Sequence, residues 1–82
     1  MKLRIEENEY EGTCVEIMDR LRLAAFDPTE YPDTESYIWQ LRANYIRMTD
    51  RDCALPERGV EEQARAMFAA LAGIGALEIL EE

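Results

Sequence analysis

The chain has 82 residues, of which 18 are acidic, 9 are basic and none is histidine, giving a formal net charge of −9. The length fits one domain, and a hydrophobic share of 48% is too high for a disordered tail. No run of about 18 apolar residues is present and the start MKLRIEENEYEG lacks a signal-peptide core, so the expectation is a soluble, cytoplasmic protein with no membrane span.

Residues 2–6, KLRIE, alternate. Leu3 and Ile5 point one way and Lys2, Arg4 and Glu6 the other, the pattern of a half-buried strand. Glu7, Asn8 and Glu9 follow as a turn, with Asn8 the residue best suited to positive φ. Tyr10 begins a second strand with Glu9 and Glu11 outward, so the segment predicts a hairpin. Gly12 ends it. Thr13 and Glu16 have capping-box spacing, and Cys14, Ile17, Met18, Leu21, Ala24 and Ala25 recur at helical intervals. A first helix is predicted over 14–26, stopped by Pro28.

The segment 27–34, DPTEYPDT, is a loop, and Asp33 or Thr34 caps a second helix running to Met48. Tyr37, Ile38, Leu41, Tyr45 and Met48 form its apolar face, while Trp39, Ala43 and Ile46 form a second stripe. A helix with two apolar stripes is either sandwiched inside the domain or lends one stripe to a partner. Residues 49–59 connect, with a short extended piece at Cys53–Leu55. A third helix is predicted over 60–72, burying Val60, Ala64, Met67, Phe68 and Leu71. Gly73 and Gly75 end it, and 76–80, ALEIL, reads as a last strand with Leu77 and Ile79 inward. The order ββαααβ predicts an α+β fold. It comprises an N-terminal β-hairpin, three helices and a C-terminal strand, with a small antiparallel sheet covered by helices on one face.

The lack of histidine excludes Ser–His and Cys–His nucleophile pairs and histidine-containing zinc sets. Cys14 and Cys53 make no CxxC pair and read as free thiols, Cys14 in the core, with a Cys14–Cys53 disulfide the alternative that spacing does not argue for. There is no glycine-rich phosphate loop. The pair Asp50 and Asp52 lacks the later ligands and central glycine of an EF-hand. The expectation is a non-enzymatic protein without catalytic residues, metal or cofactor. One lysine and eight arginines lie scattered, so no basic stripe is available for direct nucleic-acid or anionic-membrane binding.

Three acidic clusters stand out. The first is Glu6, Glu7, Glu9, Glu11 and Glu16, with no base between positions 5 and 19. The second is Asp27, Glu30, Asp33 and Glu35, with none between 23 and 41. The third is Glu78, Glu81 and Glu82. If the last strand joins the hairpin, the first and third share one sheet edge or face. These clusters either solvate the fold or form a negative surface that stands in for phosphates and occupies a basic groove on a partner protein. A weak divalent-metal site is the remaining option. Trp39 has two readings as well. It packs in the core under Tyr31 and Pro32, or it anchors a protein contact, a homodimer included.

In size, acidity and lack of catalytic motifs the chain resembles small acidic accessory proteins of phages and mobile elements. These include anti-CRISPR and anti-restriction proteins that mimic DNA. The resemblance covers size, charge and compact α+β architecture, and no residue role is carried over from it. It implies an inhibitor or regulator that binds a nucleic-acid-handling bacterial complex through that complex's basic surface. The alternative is an accessory or structural protein that binds through an apolar helix face, as a homodimer or with another chain.

Overall fold

In the computed structural model, which describes residues 1–24, 31–57 and 59–82, three strands and three helices follow the order ββαααβ. They are β1 (Lys2–Ile5), β2 (Asn8–Glu11), α1 (Cys14–Leu23), α2 (Thr34–Thr49), α3 (Val60–Gly73) and β3 (Glu78–Glu81). The sheet is antiparallel with strand order β2-β1-β3. The fold is therefore α+β, with both ends of the chain meeting on β1. Leu3 faces Tyr10 on one side and Ile79 on the other. These residues share the inward face, as the alternation predicts, and Leu3 is fully buried.

The hairpin turn differs from the expected one. Ile5 pairs with Asn8, so the two loop residues are Glu6 and Glu7, and Glu6 carries the positive φ of 56°. A two-residue loop favours positive φ because its backbone twist then matches that of the strands. The register that buries Leu3 and Tyr10 on one face places Asn8 in β2 instead of the turn, and Glu6 adopts the left-handed conformation without being a residue type that prefers it. Gly12, at φ 144°, turns the chain out of β2 into α1. That conformation is essentially reserved for glycine.

The start of α1 is doubly held. The Thr13 hydroxyl accepts the Glu16 N–H at 3.1 Å, and the Glu16 carboxylate accepts the Thr13 N–H at 3.1 Å. The Thr13 backbone N–H and, after it, the Thr13 hydroxyl favour the ionised carboxylate, so the Glu16 pKa lies below its ordinary value. Loss of this cap in Thr13→Ala should cost about 1 kcal/mol of stability, read as a lower urea midpoint with an unchanged denaturant slope. Helix α1 ends at Leu23. Of the expected extension to 26, Ala24 is the C-cap and the rest lies outside the described residues.

The core consists of Leu3, Cys14, Ile17, Met18, Ile38, Tyr45, Cys53, Ala64, Met67, Phe68 and Leu77. Each helix contributes, and each packs against the other two. Helix α2 is capped by Asp33, whose carboxylate accepts the Ser36 N–H at 2.8 Å and is thereby held below its usual pKa. Its expected apolar face is only partly used. Ile38 and Tyr45 are buried and Tyr37 and Leu41 half-buried, whereas Met48 is 68% exposed. Sixteen helical residues span about 24 Å, close to the full 26–28 Å extent of the molecule, so the last turn reaches the rim. The second stripe also divides. Ala43 and Trp39 are exposed, while Ile46 is half-buried against the core. No strand forms at Cys53–Leu55. Cys53 is instead buried as an irregular segment, held where the Arg42 Nε donates to its carbonyl at 2.6 Å.

Candidate functional site

Pairing across β1 creates an outer sheet face of alternating sign. Arg4 stands between Glu9 of β2 and Glu78 of β3, and Lys2 between Glu11 and Glu81. The two carboxylate columns are two strand spacings apart, about 10 Å. Glu9, Glu11, Glu78 and Glu81 are all exposed, as are Glu6 and Glu7 in the turn at one end. Six carboxylates thus surround two cations, leaving an excess of four negative charges on this side of the chain.

Glu9 and Glu11 of the first cluster meet Glu78 and Glu81 of the third on one face, whereas Glu16 belongs to the cap of α1 and Glu82 follows β3, and the first cluster is not free of bases. Strand β1 brings Lys2 and Arg4 into its midst, a proximity that spacing along the chain does not reveal. Lys2 lies 3.6 Å from Glu9, and Arg4 pairs with Glu78. These side chains are more than a third exposed, so each pair adds little to stability. An approaching charge can displace them at little cost. Among the described residues, Glu6, Glu7, Glu11 and Glu81 form no ion pair.

The second cluster does not assemble in the same way. Asp33 is committed to capping α2, Glu35 is exposed in the first turn of that helix, and Asp27 and Glu30 lie outside the described residues. Trp39 is 44% exposed, so it does not pack in the core under Tyr31 and Pro32. Tyr31 packs edge-on against Tyr37, with ring centroids 5.2 Å apart. The Trp39 ring instead carries the Arg42 guanidinium 5.2 Å from its centroid. Arg42 is fixed from below by Cys53 O and from the side by the Asp52 carboxylate at 2.7 Å.

One structural carboxylate gives no signal in the sequence. Glu61, in the first turn of α3, accepts the N–H groups of Cys14 and Val15, each at 3.0 Å. It caps α1 from a different helix, 47 residues away from Cys14 in sequence. Burial raises its pKa, but the two backbone bonds, the Cys14 thiol and Arg65 outweigh burial and hold it below the ordinary carboxylate value. The Cys14 thiol responds in the opposite sense, pushed up to about 11 by burial and then by the hydrogen bond to Glu61. It is a protonated core thiol at neutral pH, not a nucleophile. Cys53 is likewise raised by burial, and both cysteines are free.

A carboxylate whose folded pKa is depressed adds stability above its unfolded pKa, and that stability is lost as pH falls through the folded value. Glu61→Gln should therefore destabilise the domain by roughly 1–2 kcal/mol at pH 7, since the amide oxygen replaces only one of two charged acceptors. The gap between variant and parent should close as pH falls below about 4. Urea midpoints at pH 7 and pH 3 check both statements.

Open grooves border the sheet face, one of ≈ 630 Å³ and lined by Lys2, Glu11, Thr13, Glu16, Glu61, Arg65 and Glu81 among others. It is shallow and polar, with most of its lining side chains in solvent. Among the described residues no group of three or more Cys, Asp or Glu is arranged to hold a metal ion, and no helix is long and apolar enough to cross a membrane. The fold and this face define a small α+β protein whose most distinctive surface is a carboxylate-rich sheet. No protein-family model, curated protein or solved structure matches the chain, so the functional reading rests on this surface.

Proposed function

We propose that the chain is a non-enzymatic acidic binding protein that occupies the basic surface of a protein partner. The partner is a nucleic-acid-handling bacterial complex, and the consequence is inhibition or regulation. The observation that carries this reading is the outer sheet face with the turn at its end, where Glu6, Glu7, Glu9, Glu11, Glu78 and Glu81 outnumber Lys2 and Arg4 three to one. A surface of this kind steers a basic partner toward it and repels nucleic acid and anionic membrane. It therefore blocks a nucleic-acid site by substituting for phosphates, in the manner of a DNA-mimic or anti-CRISPR-like inhibitor of a phage or mobile element, acting in the cytoplasm. Asp33 and Glu35, at the start of α2, add negative charge outside the sheet, and Asp27 and Glu30 add to the charge of the chain but lie outside the described residues.

A second reading is favoured by Trp39. Its exposed ring, stacked by an Arg42 that is itself pinned, is the type of pair that anchors protein contacts. On this reading the exposed side of α2 meets a partner chain or a second copy. Salt separates the two. The immobilised chain should retain a bacterial protein from nuclease-treated lysate at low salt and release it steeply as salt rises. Retention that ignores salt but disappears in a folded Trp39→Ala variant would favour the α2 contact.

A further inference from the structure

Among the described residues the sheet has two unpartnered edges, and they are not equivalent. On β3 the ladder is interrupted between the pairs of Lys2 and Leu3, where Leu80 is an extra residue. A bulge of this kind blunts an edge. On β2 the register with β1 is regular. Gly12 and Met1 exchange both backbone bonds, at 3.0 and 2.9 Å. Because hydrogen-bonded and non-hydrogen-bonded pairs alternate in an antiparallel ladder, Tyr10 and Asn8 also direct their N–H and C=O groups toward β1. Glu9 and Glu11 consequently direct theirs to the open edge. The same two residues carry the outward carboxylates.

The occupant that suits this edge follows from charge. β1 already shows what lies well against β2, since it sets Arg4 opposite Glu9 and Lys2 opposite Glu11. Opposite charges facing each other across strands stabilise a pair, and like charges destabilise it. A second copy of β2 fits badly. Only residues of equal parity can face each other on one side of the sheet, so antiparallel self-pairing sets Glu9 against Glu9, Glu9 against Glu11, or Glu7 against Glu9. We infer that the free edge of β2 is a strand-docking site for an extended segment of the partner. That segment carries lysine or arginine at alternate positions, opposite Glu9 and Glu11, and makes the β2-β1-β3 sheet four-stranded. This inference rests on the acidic-surface reading and adds backbone pairing to it. Main-chain bonds supply the anchoring and the alternating cations the selectivity.

The test uses the whole chain and three synthetic peptides: alternating lysine and valine, the same residues as a lysine block followed by a valine block, and the alternating peptide N-methylated at its lysines. Amide shifts are mapped by heteronuclear NMR at low salt. The alternating peptide should bind at least tenfold more tightly than the other two. It should protect the Glu9 and Glu11 amides from hydrogen exchange while leaving those of β3 unchanged. Equal affinity for all three peptides, or protection confined to β3, overturns strand docking and leaves the acidic-surface reading standing. Absence of binding by any of the three overturns both. Sedimentation without peptide should give a monomer, and a dimer with protected Glu9 and Glu11 amides would assign the edge to a second copy instead.

Discussion

Phe68→Ala should destabilise the domain by about 3–5 kcal/mol, more than truncation of any other side chain in this core. Among the described residues Phe68 is the bulkiest of the fully buried side chains, and it shares the core cluster with residues of all three helices and with Leu3 and Leu77 from the sheet side. Removing the ring costs its transfer free energy and leaves a cavity that the helices can close only in part. A domain of this size has a net stability of roughly 4–12 kcal/mol, so the variant loses a large part of it. Met48→Ala is the matched control. Met48 is also a large apolar residue of a helix, but at 68% exposure it should change stability by under about 0.5 kcal/mol. Urea titrations of both variants decide the matter. Comparable losses would mean that the last turn of α2 is covered in solution.

Reversing Glu6, Glu7, Glu9 and Glu11 to lysine should reduce affinity for a basic partner by at least about 100-fold, or roughly 2.7 kcal/mol. The four substitutions bring the net charge from −9 to −1, because each changes it by two. They also set cations opposite Arg4 and Lys2, at a cost of about 0.2–1 kcal/mol per facing pair. Glu6→Lys and Glu7→Lys alone avoid that cost, since the turn faces no strand, and should weaken binding to a smaller extent with the fold untouched. Reversal at Asp27, Glu30 and Glu35 is the control for overall charge. Asp33 is left in place because it caps α2. Circular dichroism confirms folding, and titration calorimetry at two salt concentrations reads the affinity. If the control variant loses as much affinity as the hairpin variant, net charge alone accounts for binding and the sheet face does not.

The element order is legible in the sequence because each local signal is strong. The alternation of Leu3 and Ile5 produces β1, the Thr13–Glu16 spacing produces the start of α1, and Gly75, at φ 78°, separates α3, which runs through Gly73, from a last strand that turns Ile79 inward and begins just after the buried Leu77. Contacts between distant residues are not legible. Lys2 and Arg4 lie beyond the acidic run in sequence, but antiparallel pairing sets them opposite Glu11 and Glu9. The role of Glu61 is hidden because its acceptor atoms serve the N-terminus of another helix. The Asn8 turn fails because register, fixed by burying Leu3 and Tyr10, outranks the preference of one residue for positive φ. Met48 follows the apolar period of α2 faithfully, yet period does not tell where the neighbouring helices stop.

If the carboxylate-rich sheet face substitutes for nucleic acid on a basic partner, chain and duplex must compete for one surface. That competition is read from the anisotropy of a labelled DNA duplex bound to the captured partner while the chain is titrated in. The duplex should be released as the chain binds, and the hairpin charge-reversal variant should release none. A duplex that remains bound while the chain joins the same complex would show that the sheet face does not stand in for phosphates.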